Sequence, residues 1–164
     1  MAEKGLCSEG VLLGAVIGDI AGSTYEFDNV DPRTVSLADF DLFPRGSEIT
    51  DDTVMTVAVA EALRRTDGSH EDLRRIDTAL RQSMIKWYEK YPAVSYGSGF
   101  RIWLAEGAVT TKSSWGNGAP MRCSAAGWLA HSLAEAADLA VLTVLPSHLH
   151  PASIRAAQCV ASLI

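Results

Sequence analysis

The chain has 164 residues, of which 48% are apolar and 21% charged, so it can bury a core as one domain spanning residues 1–164. Its net charge of −6 excludes a broad electrostatic surface for nucleic acid. Its apolar runs fall short of the roughly 20 residues that cross a bilayer, which argues against a membrane protein. Three cysteines without CxxC spacing predict reduced thiols and a cytoplasmic location.

The first predicted element is a helix over residues 11–22 that is apolar nearly all round, which indicates a helix in the centre of the protein. Gly14, Gly18 and Gly22 recur every four residues and form one smooth stripe. Such a stripe predicts the close approach of a neighbouring helix or a ligand. Asp19 is a lone acid in this apolar setting, so we expect it to anchor a hydrogen-bond network rather than to do chemistry.

A glutamate and a long loop follow this helix. Glu26 lies between Tyr25 and Phe27, an environment that tends to desolvate a carboxylate, although simple exposure in a loop is the more common outcome. Residues 28–49 carry several turn signals and are predicted to form a loop. A loop of this length in a compact domain is often functional or mobile.

The next helix begins at Thr50-Asp51-Asp52. Thr50 is a good N-cap, because its hydroxyl can accept a free backbone N–H of the first turn. Asp51 and Asp52 fall in that first turn, where the positive end of the helix dipole favours carboxylates. Hard cations such as Mg²⁺ prefer this kind of oxygen ligand set. Taken alone, however, these residues more often mark a capped helix start than a metal site.

Two further stretches have clear but different patterns. A helix is predicted from His70–Leu73 to Tyr91, with an amphipathic pattern typical of core packing. Glycine-rich turns follow at residues 96–100, leading into a helix near Arg101, and at residues 113–122. Backbone N–H groups in such turns can hold a phosphate, but each turn alone could equally be only a turn.

The C-terminal part predicts one helix over residues 124–145 and another over 152–164. In the break between them, a helix cap or a ligand hydrogen bond is at least as good an interpretation of His148 and His150 as metal ligation. No stretch alternates like a strand, so the predicted fold is all-α, with central helices wrapped by amphipathic ones. The last helix runs to Ile164 with no polar tail, so we expect the natural fold to continue beyond it.

Five motifs occur in a fixed order from about residue 10 to 164. They are Gly14–Ser23 with Tyr25–Phe27, Thr50–Thr56, Tyr96–Phe100, Ser114–Arg122 and Ser147–Pro151. Together they resemble the motifs of the ADP-ribosylglycohydrolase family. The resemblance implies an all-α orthogonal multi-helix bundle, apparently truncated here. It also implies cleavage of the glycosidic bond between ADP-ribose and a modified protein side chain or small acceptor.

The resemblance further implies a site with two Mg²⁺ ions, or Mn²⁺ in their place. Thr50, Asp51 and Asp52 would be ligands of the metal pair, and Glu26 would lie beside the metals as a ligand or as a base. The metals would supply Lewis acidity, and the carboxylates would stabilise the cationic sugar that forms as the bond breaks. Glu26, Asp51 and Asp52 are therefore the predicted catalytic residues.

The substrate contacts implied by the resemblance lie further along the chain. His148 would contact the ribose or a phosphate, and Trp115 would stack near the adenine. The diphosphate and its ribose would be contacted by Gly97, Ser98, Gly99, Ser114, Gly116, Asn117 and Gly118. Backbone donors of this kind suit an acidic protein, because they hold an anion without basic side chains.

The chain departs from the family in one respect: it lacks the second acidic motif, Asp-x-Asp followed by Thr or Ser. After Thr53 its aspartates are Asp67, Asp72, Asp77 and Asp138, and none forms such a pair. We therefore expect weak Mg²⁺ binding or none by this chain alone, so that it could be inactive as a fragment. Self-association or a partner chain could complete the fold. The alternative function is a non-catalytic ADP-ribose-binding or structural relative.

Overall fold

The computed structural model describes residues 8–26, 31–34, 36, 40–67 and 72–164, with side chains from residue 12 onward except that of Pro32. These ranges contain seven α-helices and no strand, which confirms the all-α prediction. The helices are α1 (Ser8–Gly22), α2 (Asp51–Arg65), α3 (Leu73–Lys90), α4 (Ser98–Ala105), α5 (Ser124–Leu129), α6 (Leu133–Val144) and α7 (Pro151–Leu163). Within the same ranges, no helix has the length and apolarity needed to cross a bilayer.

The buried centre of the fold is α2. Six apolar side chains between Val54 and Leu63 are at most 2% exposed. Val54 and Met55 point about 100° apart around the helix axis, so neighbours are needed on several sides. These neighbours are α1, α3, α5 and the 3-10 turn Pro120–Arg122. The central position of α2 fixes its N-terminal residues firmly, which matters for the site built there.

Helix α1 is less buried than its sequence predicts. Leu13 is 57% exposed and Ile17 is 39% exposed, so the prediction of a central helix is wrong. A Cβ built at Gly14, Gly18 or Gly22 would meet no atom of the described residues within 4 Å, so the predicted close approach of a helix along the glycine stripe is also wrong, whereas that of a ligand stays a prediction. The physical reason is that α1 packs against α2 and α5, while Leu13, Gly14, Ile17 and Gly18 on one of its faces stay exposed among the described residues.

The predicted helix over residues 124–145 is two helices, α5 and α6, and the single-helix prediction is wrong. Ala130 is extended and breaks the chain between them. The Ser132 hydroxyl accepts the N–H of Glu135 at 3.2 Å, and the Glu135 carboxylate accepts the N–H of His131 at 2.6 Å. This reciprocal cap closely resembles the Ser-x-x-Glu capping box. It starts a new helix at a point where the apolar sequence pattern runs on without a break and so predicted one helix.

The remaining predictions for elements hold where the structure describes them. Asp72 caps α3 and the helix ends at Lys90, while His70 lies outside the described residues. Helix α4 begins three residues before the expected position, and α7 begins at Pro151. His150 caps α7, since its Nδ1 accepts the N–H of Ala152 at 3.2 Å. The predicted loop after Glu26 contains one 3-10 turn, Pro32–Thr34, in its described part.

The contact between α5 and α7 gives a test of this packing. A Cβ built at Gly127 would overlap the carbonyl oxygen of Ala161 and would lie 2.9 Å from the Cβ of Ile164. Gly127→Ala should therefore lower the free energy of unfolding, by about 1–3 kcal/mol. Gly14→Ala is the matched control, and it should raise that free energy by up to about 1 kcal/mol because its helix has room for a Cβ. Urea unfolding of both variants measures the difference; equal effects would contradict the packing.

Candidate functional site

Asp19 of α1 is held at the N-terminal end of α2. Its carboxylate accepts the backbone N–H of Thr50 at 2.8 Å and that of Thr53 at 3.1 Å. It also accepts the hydroxyl of Thr50 at 2.5 Å and the hydroxyl of Thr53. The expectation that Asp19 anchors a hydrogen-bond network is confirmed. Four donors on one carboxylate fix where α1 meets α2.

Thr50 performs two tasks with one hydroxyl group. It donates to Asp19 and accepts the backbone N–H of Asp52 at 3.1 Å. The N-cap prediction is therefore confirmed. Because a hydroxyl oxygen has two lone pairs, one remains for a further ligand. The predicted role of Thr50 as a metal ligand stays a prediction.

Three carboxylates gather next to this cap. Oxygens of Asp19, Glu26 and Asp52 lie within 4.8 Å of one another, although the three residues come from α1, the segment after it and α2. Burial, followed by the charges of Asp51, Asp19 and Glu26, raises the pKa of Asp52 to about 7. Burial and the neighbouring Asp19 also raise the pKa of Glu26. The predicted partial desolvation of Glu26 agrees with this environment.

The acidic cluster suits a hard divalent cation. Its donors are carboxylate oxygens, which Mg²⁺ and Mn²⁺ prefer. Among the residues that the structure describes, none of the ion pairs involves Asp19, Glu26 or Asp52. Burial is the main cause of the raised pKa values of Asp52 and Glu26, and the neighbouring negative charges add to it. A bound cation would relieve the repulsion between these charges. Sequence reasoning did not assign Asp19 to a metal, although a lone acid in an apolar helix was a usable signal.

Asp51 lies outside this group of three and faces a cavity. Burial is the main cause that raises the pKa of Asp51 to about 6; the charges of Glu26 and Asp19 add to it, while a hydrogen bond with Ser95 opposes it. The cavity beside Asp51 has a volume of about 360 Å³. That volume lies within the usual range for a small-molecule site. Asp51 thus borders the cavity while its chain neighbour, Asp52, belongs to the acidic cluster.

Most residues predicted to contact substrate line this cavity. The set is Gly97, Ser98, Gly99, Ser114, Gly116, Asn117, Gly118 and His148. Trp115 does not line it and is 79% exposed, so its stacking on an adenine stays a prediction. Phe100, Lys112, Met121 and Arg122 complete the lining, and sequence reasoning gave none of them a role.

Backbone pairing brings the two later motifs together. The N–H of Lys112 donates to the carbonyl of Pro146 at 3.3 Å, and the N–H of Ser114 donates to that of Ser147 at 3.2 Å. The N–H of Leu149 donates back to Lys112 at 3.2 Å. The turn around Asn117 therefore lies next to His148, although the two are far apart in the chain.

The N-terminus of α4 forms another wall of the cavity. The carbonyl of Gly97 accepts the N–H groups of Phe100 and Arg101, at 3.0 and 2.9 Å. The N–H groups of Ser98 and Gly99 have no acceptor inside the helix and lie at the positive end of its dipole, an arrangement suited to an anion. The Lys112 ammonium donates to the carbonyl of Gly99 at 2.7 Å, which brings a cation to the same wall.

Beneath the Asn117 turn lies a buried polar group. Arg122 is 0% exposed, donates from Nη2 to the Ser147 hydroxyl at 2.7 Å, and stacks its guanidinium over Phe100 at 5.6 Å. Burial lowers its pKa to about 10. Burial, with help from the nearby Arg122, lowers the pKa of His148 to about 3, so its imidazole is neutral near pH 7.

Comparison with known proteins bears on the same residues. The sequence model of the ADP-ribosylglycohydrolase family matches residues 8–164. The chain belongs to this family. A search of curated proteins found no match. Membership of this family indicates the general class of glycohydrolases. The five sequence motifs all fall within the matched residues.

The crowded carboxylates predict an unusual pH dependence for this family member without added divalent cation. The pKa values of Asp51 and Asp52 are about 6 and about 7 in the fold, against 3.8 when unperturbed. Between these values the folded state keeps protons that the unfolded state has released. Stability that is fully present below about pH 4 is therefore lost as the pH rises through about 7. The urea concentration at the unfolding midpoint should fall as the pH is raised across this range. In Asp52→Asn, the midpoint should depend less on pH in the upper part of the range. Midpoints that rise with pH, unchanged by Asp52→Asn, would contradict this.

Close contact at the Asn117 turn makes a second prediction. A Cβ built at Gly118 would lie 2.7 Å from Nε2 of His148, whereas one built at Gly116 would lie 3.5 Å from the Ser114 hydroxyl, an ordinary contact. Gly118→Ala should lower the free energy of unfolding by about 1–3 kcal/mol because the imidazole must move. Gly116→Ala is the matched control and should have a smaller effect. Thermal and urea unfolding compare the two; equal losses would argue against the contact.

Proposed function

We propose that this chain provides the ADP-ribose-binding half and the first metal-binding group of an ADP-ribosylglycohydrolase. The reaction is hydrolysis of the glycosidic bond between ADP-ribose and a modified protein side chain or small acceptor. The observation that carries the proposal is the adjacency of Asp51 and Asp52: Asp51 borders a cavity lined by backbone donors, and Asp52 belongs to the acidic cluster. A ligand in that cavity would have its reacting end next to the carboxylates.

The diphosphate is assigned to the part of the cavity formed by the N-terminus of α4 and the Asn117 turn. The N–H groups of Ser98 and Gly99 and the turn around Asn117 supply donors there, and Lys112 supplies a nearby positive charge. These local donors act at hydrogen-bond distance, whereas the net charge of −6 is screened over a Debye length of about 8 Å in physiological salt. An acidic protein can therefore hold this anion.

The ribose is assigned to the acidic end. A divalent cation, Mg²⁺ or Mn²⁺, would be held by Asp19, Glu26 and Asp52 and would supply Lewis acidity when bound. As the glycosidic bond breaks, positive charge develops on the sugar, and the carboxylate of Asp51 would stabilise it from the cavity wall. Glu26, which lies outside the helices, would either help to hold the cation or accept the proton of the attacking water.

The non-catalytic alternative rests on a specific feature. The chain has no Asp-x-Asp pair after Thr53, and Asp51 is the one carboxylate among the described residues that line the cavity. Fewer carboxylates mean weaker attraction for a divalent cation. A relative of this kind would bind ADP-ribose in the cavity through backbone donors but would not hydrolyse the glycosidic bond.

Asp51 and Asp52 give the direct test. With an ADP-ribosylated arginine or serine peptide and Mg²⁺, Asp51→Asn and Asp52→Asn should each reduce ADP-ribose release at least about 100-fold, because a charge that acts on the transition state is removed. Circular dichroism should show the helices intact. Asp138→Asn is the matched control: it removes the same charge from an exposed position outside the cavity, and release should not change.

Calorimetry separates the two candidate functions. Tighter binding of ADP-ribose with Mg²⁺ than without it, together with release, supports the hydrolase. Binding that is independent of Mg²⁺, with no release, supports the non-catalytic relative. If neither this chain nor a longer one carrying an Asp-x-Asp motif releases ADP-ribose, the hydrolase proposal fails.

A further inference from the structure

A buried chain of hydrogen bonds joins Arg122, Ser147 and His148 under the Asn117 turn. The Arg122 Nη2 lies 2.7 Å from the Ser147 hydroxyl oxygen, and that oxygen lies 2.8 Å from Nδ1 of His148. The Arg122 Nη2 is also 3.5 Å from the same Nδ1. All three residues are buried, so water does not compete for these groups.

The positions of the hydrogens follow from the chemistry of the three groups. A guanidinium can only donate, so the Ser147 oxygen accepts from Arg122. The single hydroxyl hydrogen of Ser147 is then available for Nδ1 of His148. A hydrogen on Nδ1 would instead point toward the N–H groups of the guanidinium, and the hydroxyl hydrogen of Ser147 would then have no other acceptor among the described residues. Nδ1 is therefore the acceptor, and the ring hydrogen lies on Nε2.

We propose that Arg122 is a positioning residue that acts through Ser147 to hold His148 as the neutral tautomer with its hydrogen on Nε2. His148 then presents a fixed hydrogen-bond donor at the Gly118 end of the cavity. Its partner would be an acceptor oxygen of the ligand, a phosphate oxygen or a ribose hydroxyl. The identity of that ligand rests on the proposed function, whereas the tautomer does not.

The charges around the ring favour the same state. Charged groups that line this cavity are Arg122 from the 3-10 turn, Asp51 from α2 and Lys112 from the paired segment. In the described part of the chain, no carboxylate forms an ion pair with Arg122, so a second positive charge on His148 would be opposed. Burial acts in the same direction and holds the pKa of His148 well below its usual range. His148 is thus a donor and not a general acid near pH 7.

The geometry also directs that donor. A Cβ built at Gly118 would lie 2.7 Å from Nε2 and 2.8 Å from Cε1 of His148. The protonated edge of the ring therefore faces the Gly118 backbone, while the opposite nitrogen faces Ser147. Because Gly118 and His148 both line the cavity, the ring connects the buried hydrogen bonds with the ligand space.

Long-range ¹H–¹⁵N correlation spectra of ¹⁵N-histidine-labelled protein report the tautomer directly. His148 is assigned by the signal that His148→Asn removes. In the unmodified protein we expect a hydrogen on Nε2, a bare Nδ1, and no ring protonation from about pH 8 to about pH 5. Arg122→Met and Ser147→Ala should each give a mixture of tautomers. Arg101→Met, which removes an exposed arginine outside the cavity lining, is the matched control and should leave the His148 signals unchanged.

Two outcomes would overturn the inference: a hydrogen on Nδ1 in the unmodified protein, or unchanged His148 signals in both Arg122→Met and Ser147→Ala. Should Arg122→Met fail to fold, Ser147→Ala decides, because it removes only one hydroxyl. Ser147→Ala should also raise the Kd for ADP-ribose roughly threefold to tenfold. If both variants give mixed tautomers but the unmodified protein binds no ADP-ribose, the positioning role of Arg122 is supported and the proposed function is contradicted. If the unmodified protein binds ADP-ribose tightly but carries its hydrogen on Nδ1, the positioning role is contradicted and the proposed function is supported.

Discussion

The carboxylate of Asp19 is the interaction on which the rest of the site depends. Its four hydrogen bonds with Thr50 and Thr53 join α1 to the start of the buried helix α2. Because α2 is enclosed by the core, its first turn cannot shift without disturbing that core. The position of Asp51 and Asp52 is therefore set by packing as well as by the cap. The carboxylates are therefore held close together, because the fold does not let the start of α2 move away from Asp19.

The cavity shows how an acidic protein can hold an anionic ligand. Among the described residues that line it, Asp51 supplies a carboxylate, whereas Lys112 and the N-terminus of α4 supply an ammonium group and backbone N–H groups. The basic residue that is most buried, Arg122, is joined to Ser147 and His148 rather than to a carboxylate. Groups of opposite sign thus line one space of about 360 Å³. Such a lining suits a molecule that has an anionic middle and a sugar end.

Local signals were enough to predict some features but not others. The Thr50 cap and the start of α2 depend on residues that are neighbours in the chain, and so does the His150 cap of α7. The grouping of Asp19 with Asp52 depends on tertiary contacts, and so do the hydrogen bonds from Arg122 through Ser147 to His148. No local sequence pattern contains such contacts. The burial of α1 was misjudged because apolar composition cannot say which sides find neighbours. The break before α6 was missed because the apolar run masked the Ser132 capping signal.

The backbone pairing between residues 112–114 and 146–149 has a consequence for ligand binding. Two walls of the cavity, the Asn117 turn and the His148 loop, share this short ladder and so form one cooperative unit. A ligand that contacts both walls meets a surface that is already preorganised, and little conformational entropy is lost on closing around it. Because loosening either segment would weaken contacts made by the other, we expect the two motifs to be thermodynamically coupled despite their separation in the chain.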